Sequence, residues 1–176
     1  MAETSLSCDA TAAAPRWAVI SIGGALTIET DQNGKEVQRL LIEAGHAVVE
    51  RTVVPEEATR FINVLRHWIA ADVSGVVVTG GSGLGLGESA VEIARRFFDR
   101  EIPAFEQIFA CLAYQAIGAA ALSARAAAGL AGRKVVVVLP EGLWAVRLGM
   151  EKLILPEVQR VQRMASILSL GAEGSR

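Results

Sequence analysis

A strand that runs into a glycine-rich turn constrains this chain more than any other stretch. Residues 75–88 read Gly-Val-Val-Val-Thr-Gly-Gly-Ser-Gly-Leu-Gly-Leu-Gly-Glu. Three consecutive valines without polar alternation predict a parallel strand that is covered on both faces. The five glycines that follow allow positive φ and leave no Cβ between the backbone and a neighbouring group. A buried strand, a glycine turn and then a helix therefore organise the rest of the chain.

The glycine turn is a candidate phosphate site. Residues 89–98 favour a helix, and the dipole at its N-terminus would attract the same negative charge as the N–H groups of the turn. The alternative is a tight strand-to-helix connection with no ligand. A P-loop is excluded because Leu86, Gly87 and Glu88 stand where Gly-Lys-Ser/Thr is required. A dinucleotide fingerprint also fits poorly, since no second strand ends at the required distance.

Composition limits the number of domains and the partners. A length of 176 residues and 52% hydrophobic content suit one α/β domain with closely packed layers. We expect a disordered tail over residues 1–15 and a single domain over 16–170. A net charge of −2 gives no broad basic field for nucleic acid or an anionic membrane. Every apolar run is interrupted, so we expect a soluble, cytoplasmic protein.

Apolar patterns predict strands that alternate with amphipathic helices. The predicted strands are 17–21, 46–54, 76–78 and 135–139, in a mostly parallel sheet with helices on both sides. Asn33-Gly34 indicates a turn, and Pro156 is expected to interrupt the last helix. The alanine-rich segment 119–130 favours helix locally, although its fold is left open.

Ligands of such sheets bind beyond the carboxyl ends of the strands. We therefore expect the loops 23–34, 79–88 and 140–143 to meet there, and Glu56, which follows the second strand, to join them.

The cysteines and histidines do not indicate a metal or redox site. Cys8 and Cys111 have no paired spacing, and Cys111 is expected to be a packed core residue. Neither His46 nor His67 has a second ligand three or four residues away, so a zinc site is not expected.

Three longer motifs resemble a known family: Thr79-Gly-Gly-Ser-Gly-Leu-Gly85, Phe98-Asp-Arg-Glu-Ile-Pro-Ala-Phe105 and Val146-Arg-Leu-Gly-Met-Glu-Lys-Leu-Ile-Leu-Pro-Glu157. Together they look like the molybdenum cofactor biosynthesis family typified by MoaB and MogA and by the N-terminal domain of gephyrin. Shorter segments at 27–31, 43–46 and 54–55 fall where that family has similar ones. The resemblance covers roughly residues 17–165.

The resemblance implies a three-layer α/β/α fold, a homotrimer or a hexamer built from two trimers, and a site for molybdopterin. The activity it implies is MgATP-dependent adenylylation of the pterin phosphate with release of pyrophosphate. Mg²⁺ would be held by Glu56 and Glu88, which stand in for the family's aspartates and are also the implied catalytic residues. The implied ligand-binding residues are Thr79, Gly80, Gly81, Ser82, Gly83, Pro140 and Gly142.

Several ligand positions depart from the family pattern. Gly87-Glu88 replaces Arg-Asp, Gly23-Gly24 replaces Ser-Asp, and the segment Pro140-Glu-Gly-Leu-Trp144 replaces Pro-Gly-Ser-Pro-Lys. Two hypotheses follow: a molybdopterin adenylyltransferase, or a pterin or nucleotide carrier or interaction module without turnover. A pyrophosphatase of the CinA type is a weaker third, since the additional domains of that family are not in this sequence.

Overall fold

Strands and helices alternate along the part of the chain that the computed structural model describes, residues 14–81, 89–158 and 160. The elements, in chain order, are β1 (Arg16–Ile22), α1 (Gln32–Glu43), β2 (Ala47–Val54), α2 (Ala58–Ala70), β3 (Gly75–Thr79), α3 (Ala90–Arg95), β4 (Arg100–Glu101), α4 (Pro103–Ile117), a 3₁₀ segment (Gly118–Ser123), β5 (Ala127–Ala131), β6 (Lys134–Leu139), α5 (Leu143–Gly149) and a π-helical turn (Met150–Ile154).

The strands form one sheet in the order β2-β1-β3-β6-β5-β4. The first four are parallel, and Val19, Val77 and Val137 lie side by side in register. β5 runs antiparallel to β6, and β4 antiparallel to β5. The prediction of a mostly parallel sheet is confirmed, and its central strands are fully buried because helices cover both faces.

Alternate residues of each central strand enter two separate cores. Trp17 and Val19 face the layer formed by α1, α4 and α5, whereas Ala18 and Ile20 face α2 and α3. This period of two is what a strand between two helical layers requires. The molecule is therefore a three-layer α/β/α sandwich, as predicted.

Two strands were missed by sequence reasoning, β4 and β5. The segment 119–130 is helical only as far as Ser123, in 3₁₀ form, and then extends into β5. Alanine favours a helix in isolation, but here the hairpin with β6 supplies strand hydrogen bonds and full burial. Tertiary pairing has overridden local propensity.

Helix boundaries give two further corrections. Asn33 and Gly34 do not form a turn, because Asp31 caps α1 and draws both residues into its first turn. Pro156 does not interrupt the C-terminal helix: residues 155–158 continue it. The π-helical turn immediately before it carries an i→i−5 hydrogen bond from the Leu155 N–H to the Met150 carbonyl. A wider turn leaves more room next to a proline ring than regular α geometry does.

The helical run Pro103–Ser123 has one buried face and one exposed apolar face. Phe105, Phe109 and Ala113 are buried against the sheet. Cys111 is exposed on the other face, so its prediction as a core residue was wrong. By length and composition alone the run could cross a membrane. In the fold, 17% of its most apolar window is buried. The buried aromatic face shows that the run is one of the domain's own layers.

A charge cluster joins α1 to α5. Arg39 donates to both carboxylate oxygens of Glu36 at 2.9 Å, and Arg147 Nε donates to Glu36 Oε1 at 2.6 Å. The hydrogen bonds from Arg39, followed by those from Arg147, lower the pKa of Glu36 from 4.5 to about 2. The carboxylate side chain itself is only 11% exposed, while the two guanidinium groups are about half exposed.

Replacing Glu36 by Gln should lower stability by ~1–2 kcal/mol at pH 7, a value discounted because solvent screens the exposed guanidinium groups. The folded-state pKa is depressed, so this contribution is present above pH 4.5 and is lost as pH falls toward 2. Urea unfolding at pH 7 and pH 3 measures this contribution: the gap between the free energies of unfolding of the parent and of Glu36→Gln should narrow at pH 3. Glu43→Gln, on an exposed partner of the same arginine, is the control and should change little. A gap that is equal at both pH values would contradict the assignment.

Candidate functional site

The carboxyl ends of the four parallel strands meet at one edge of the sheet, and backbone hydrogen bonds join the loops that leave them. The Gly23 N–H, after β1, donates to the Val54 carbonyl at the end of β2, at 3.1 Å. The Gly80 N–H, after β3, donates to the Leu139 carbonyl at the end of β6, also at 3.1 Å. The first residues of the loops predicted to converge therefore lie together, and they form the candidate site; residues 82–88 of the glycine turn lie outside the described part of the chain.

Gly80 follows β3 and contacts the ends of two neighbouring strands, β1 and β6. Its φ is +82°, and a Cβ added there would lie 2.3 Å from the carbonyl oxygen of Ile22, at the end of β1. Its N–H already bonds to Leu139. Gly80 therefore sets the path of the turn, and its own N–H is not free to bind a phosphate.

The remaining turn residues divide into two groups. Gly81 is partly exposed with φ +63°, and its carbonyl accepts from the Ala90 N–H at 2.8 Å, which joins the turn to α3. Ser82, Gly83 and Glu88 lie outside the described residues, so their predicted roles stay predictions. A phosphate contact from the turn would therefore come from Gly81 onward.

The helix after the turn is shorter than expected and its N-terminus is already capped. α3 ends at Arg95, whereas the sequence suggested Phe98. A capping box closes its first turn: the Ser89 hydroxyl accepts from the Glu92 N–H, and the Glu92 carboxylate accepts from the Ser89 N–H. Because these donors are occupied, the expected contribution of this helix terminus to anion binding is not supported.

Arg125 reinforces this cap from the other side of the edge. It lies just before β5, which runs antiparallel to β6 and so begins at the same edge of the sheet. Arg125 donates to Ser89 Oγ at 3.3 Å and to Glu92 Oε1 at 3.0 Å. The pKa of Glu92 is lowered by the Ser89 backbone N–H first and by Arg125 second. Sequence reasoning missed Arg125, because only the antiparallel strand brings it here.

A buried polar network lies beneath the loop after β1. Asp31 is fully buried: one oxygen accepts from the Gly34 N–H at 2.8 Å, and the other accepts from Ser21 Oγ at 2.8 Å and from Arg51 at 3.3 Å. Thr79 Oγ1 donates in turn to Ser21 Oγ at 3.3 Å. Buried carboxylates need such partners. Thr79 and Asp31 therefore hold β1, β3 and α1 together, whereas from sequence Asp31 was placed only within the loop 23–34.

Glu56 is exposed and follows β2 at the same edge. β1 lies between β2 and β3, so the ends of β2 and β3 are about 10 Å apart, two strand spacings. Residues 14–81, 89–158 and 160 contain no group of three or more His, Cys, Asp or Glu side chains that could hold a metal ion. Mg²⁺ in proteins is commonly held by one or two carboxylates together with substrate phosphates, which does not require such a group.

The loop after β6 places an indole ring at the edge. Pro140 is buried, and Gly142, with φ +116°, accepts hydrogen bonds from the N–H groups of Ala145 and Val146 to start α5. A Cβ added at Gly142 would lie 2.8 Å from Trp144 Nε1. Trp144 is half-buried, and its ring centroid lies 6.2 Å from that of Phe109. The ring therefore lies directly over the loop.

Replacing Gly80 by Ala should destabilise the fold well beyond the ~1–2 kcal/mol cost of a left-handed alanine, because the new methyl group would meet the rigid backbone of β1. Gly45→Ala is the matched control: its φ is +81° and a Cβ there meets nothing within 4 Å. Chemical unfolding of both variants isolates the clash. Equal losses of stability in the two variants would show that Gly80 needs only its conformation and no close approach.

Comparison with known proteins agrees with this architecture. A family model described as a probable molybdopterin binding domain matches residues 18–160. Molybdenum cofactor biosynthesis protein B of Halalkalibacterium halodurans is 33% identical over 154 residues, which cover 84% of this chain and 88% of that protein.

Solved structures give the same result. A crystal structure of a molybdenum cofactor biosynthesis protein B superposes with a TM-score of 0.83 at 34% identity, covering 89% of this chain and 99% of that one. The tungsten cofactor synthesizing protein MoaB from Pyrococcus furiosus superposes with a TM-score of 0.78 at 26% identity, covering 88% and 99%. The chain therefore belongs to the MoaB/MogA family of molybdopterin-binding domains.

Proposed function

We propose that this protein acts in molybdenum cofactor biosynthesis by binding molybdopterin and transferring the adenylyl group of MgATP to its phosphate, with release of pyrophosphate. The observation that carries the proposal is the hydrogen-bonded convergence of the loops after β1, β2, β3 and β6 at one edge. Such an edge is where ligands of parallel α/β sheets bind. Family membership supplies the pterin and the reaction, and a reaction of cytosolic ATP implies a cytoplasmic protein.

The glycine turn is the proposed phosphate site. Gly80 fixes where the turn leaves β3, and Gly81, Ser82 and Gly83 would supply N–H groups and a hydroxyl to the phosphate. Nucleotidyl transfer depends mainly on positioning and on neutralising charge. A turn anchored to β1, β6 and α3 can hold a phosphate with little reorganisation when the reaction occurs.

Mg²⁺ would enter with ATP, held by the nucleotide phosphates and by the carboxylates of Glu56 and Glu88. Asp31 is excluded as a ligand because its oxygens already accept from Ser21, Gly34 and Arg51. Each proposed glutamate is one methylene longer than the family's aspartate. A displacement of about 1 Å can lower a rate ~10²-fold when positioning supplies most of the catalysis, so we propose slow turnover.

Pyrophosphate release from molybdopterin, ATP and Mg²⁺ tests the activity. We expect Glu88→Gln to reduce the rate more than Glu56→Gln, because residue 88 adjoins the phosphate turn. Glu57→Gln, on the exposed neighbour of Glu56, is the matched control and should keep the parent rate. If Glu88→Gln turns over as fast as the parent, the carboxylate half of the mechanism is wrong.

A carrier without turnover is the second candidate, and the occupied groups at the edge favour it. The N–H of Gly80, the capping box of α3 and the oxygens of Asp31 are all bonded to protein. These groups build a rigid cradle but are not free to act on a substrate. Tight pterin binding with no pyrophosphate release would establish the carrier and exclude the transferase.

The exposed face of α4 and the 3₁₀ segment is the proposed surface for a homotrimer or hexamer. Ile108 is 48% exposed, Tyr114 65% and Leu122 87%, and all three lie on this run. Apolar side chains on one exposed face of a helical layer indicate an interface. A second copy of the chain is the proposed occupant, in agreement with the family's oligomers.

Ile108→Glu should shift the protein to monomers in light scattering, since it would bury a charge at the interface. Asn63→Glu is the control: it adds the same charge to an exposed position on α2, in the opposite layer. A parent protein that is monomeric across a wide range of concentrations would rule out the oligomer.

A further inference from the structure

We infer that the loop 140–144 forms a subsite for the flat pterin ring of the ligand, with Trp144 as the surface on which the ring stacks. This inference rests on the proposed function and adds a residue that determines which part of the ligand binds where. It divides the candidate site in two: phosphate at the turn after β3, and ring at the loop after β6.

The position of the indole carries the inference. Its pyrrole edge lies beside Gly142, where an added Cβ would be 2.8 Å from Nε1. Packing against Phe109 on α4 supports the ring, with centroids 6.2 Å apart, and the residue is half-buried. An aromatic face that is rigidly supported and open to solvent is the usual platform for a nitrogen heterocycle. β6 is next to β3 in the sheet, so this platform adjoins the phosphate turn.

The surroundings of Trp144 suit a ring better than a phosphate. Leu143 is 39% exposed and extends the apolar surface, and Glu141 places an exposed carboxylate on the same loop. Arg147, the nearest cation along α5, is bonded to Glu36 and faces α1. A negative charge whose nearest α5 cation is already paired disfavours a phosphate group.

The carboxylate also distinguishes pterin from adenine. The pyrimidinone edge of a pterin presents two parallel N–H donors, the ring N3–H and the 2-amino group. A carboxylate accepts such a pair with both oxygens, as it does from a guanidinium group. Adenine offers only its amino group beside a ring nitrogen that accepts, so it cannot form the pair. Glu141 therefore favours the pterin.

Calorimetric titration of the full-length protein tests the subsite with three probes: 6-hydroxymethylpterin, AMP and inorganic pyrophosphate. Trp144→Leu keeps an apolar side chain against Phe109 but removes the aromatic plane, and should weaken pterin binding about tenfold, ~1.4 kcal/mol. Trp144→Phe keeps a ring and should retain most of the affinity. Both variants should bind pyrophosphate like the parent, which a misfolded domain would not do.

Glu141→Gln should weaken pterin binding about threefold to fivefold and leave AMP binding unchanged, because the amide replaces one of the two acceptor oxygens by a donor. Its control is Glu151→Gln, which changes an exposed glutamate on the helical run that follows this loop. Fluorescence gives a second measurement. Trp17 and Trp68 are buried, so quenching by acrylamide reports mainly on Trp144, and bound pterin should reduce it.

The possible results distinguish failure of the subsite from failure of the proposed function. Parent-like pterin affinity in Trp144→Leu overturns the subsite while leaving the proposed function intact. Loss of AMP binding in that variant, with pterin unaffected, assigns the platform to adenine and overturns the pterin assignment. A parent protein that binds no pterin overturns both the subsite and the proposed function.

Discussion

The close approach of Gly80 to β1 and β6 is the constraint on which the site depends. One residue donates to the end of β6, lies against the last carbonyl of β1 and turns the chain out of β3. Only a residue without a side chain can do this at φ +82°. The three strand ends are thereby held in a single relative position. A site that works by positioning needs this rigidity more than it needs any one functional group.

The carboxylates named above fall into two groups, one buried and bonded within the fold and one exposed at the edge of the sheet. Asp31 and Glu36 are buried or nearly so and are bonded to several donors, which lets each join separate elements. Glu56 and Glu141 are exposed at the carboxyl edge of the sheet. Burial without partners is costly for a carboxylate, so the first pair is committed to structure. Under the proposed function, the exposed acids and Glu88 are the carboxylates that would meet a cation or a pterin.

The layers were predictable from sequence because the residue patterns of valine-rich strands and amphipathic helices indicate locally which of their faces are buried. β1, β3 and β6 were found in this way, and so was the convergence of their loops. β5 was missed because four of its five residues are small and gain their strand geometry only from a neighbour. Cys111 was misplaced because an apolar helix face gives the same pattern whether it meets a core or a partner. The Ser89–Arg125 contact spans 36 residues and could not be read from local spacing.

The departures from the family pattern are not equivalent in physical terms. At the turn after β3, the sequence keeps the glycines and a hydroxyl at residue 82, which is the part of the pattern on which the proposed phosphate site depends. At the loop after β6, a lysine is replaced by Trp144 and a glycine by Glu141, which exchanges a cationic surface for an aromatic and acidic one. Under the inference drawn above, these changes would disfavour a phosphate at β6 and favour a ring at the same place. Because the two loops are joined through Gly80 and Leu139, a ligand with a ring and a phosphate would be held at both ends by one rigid edge.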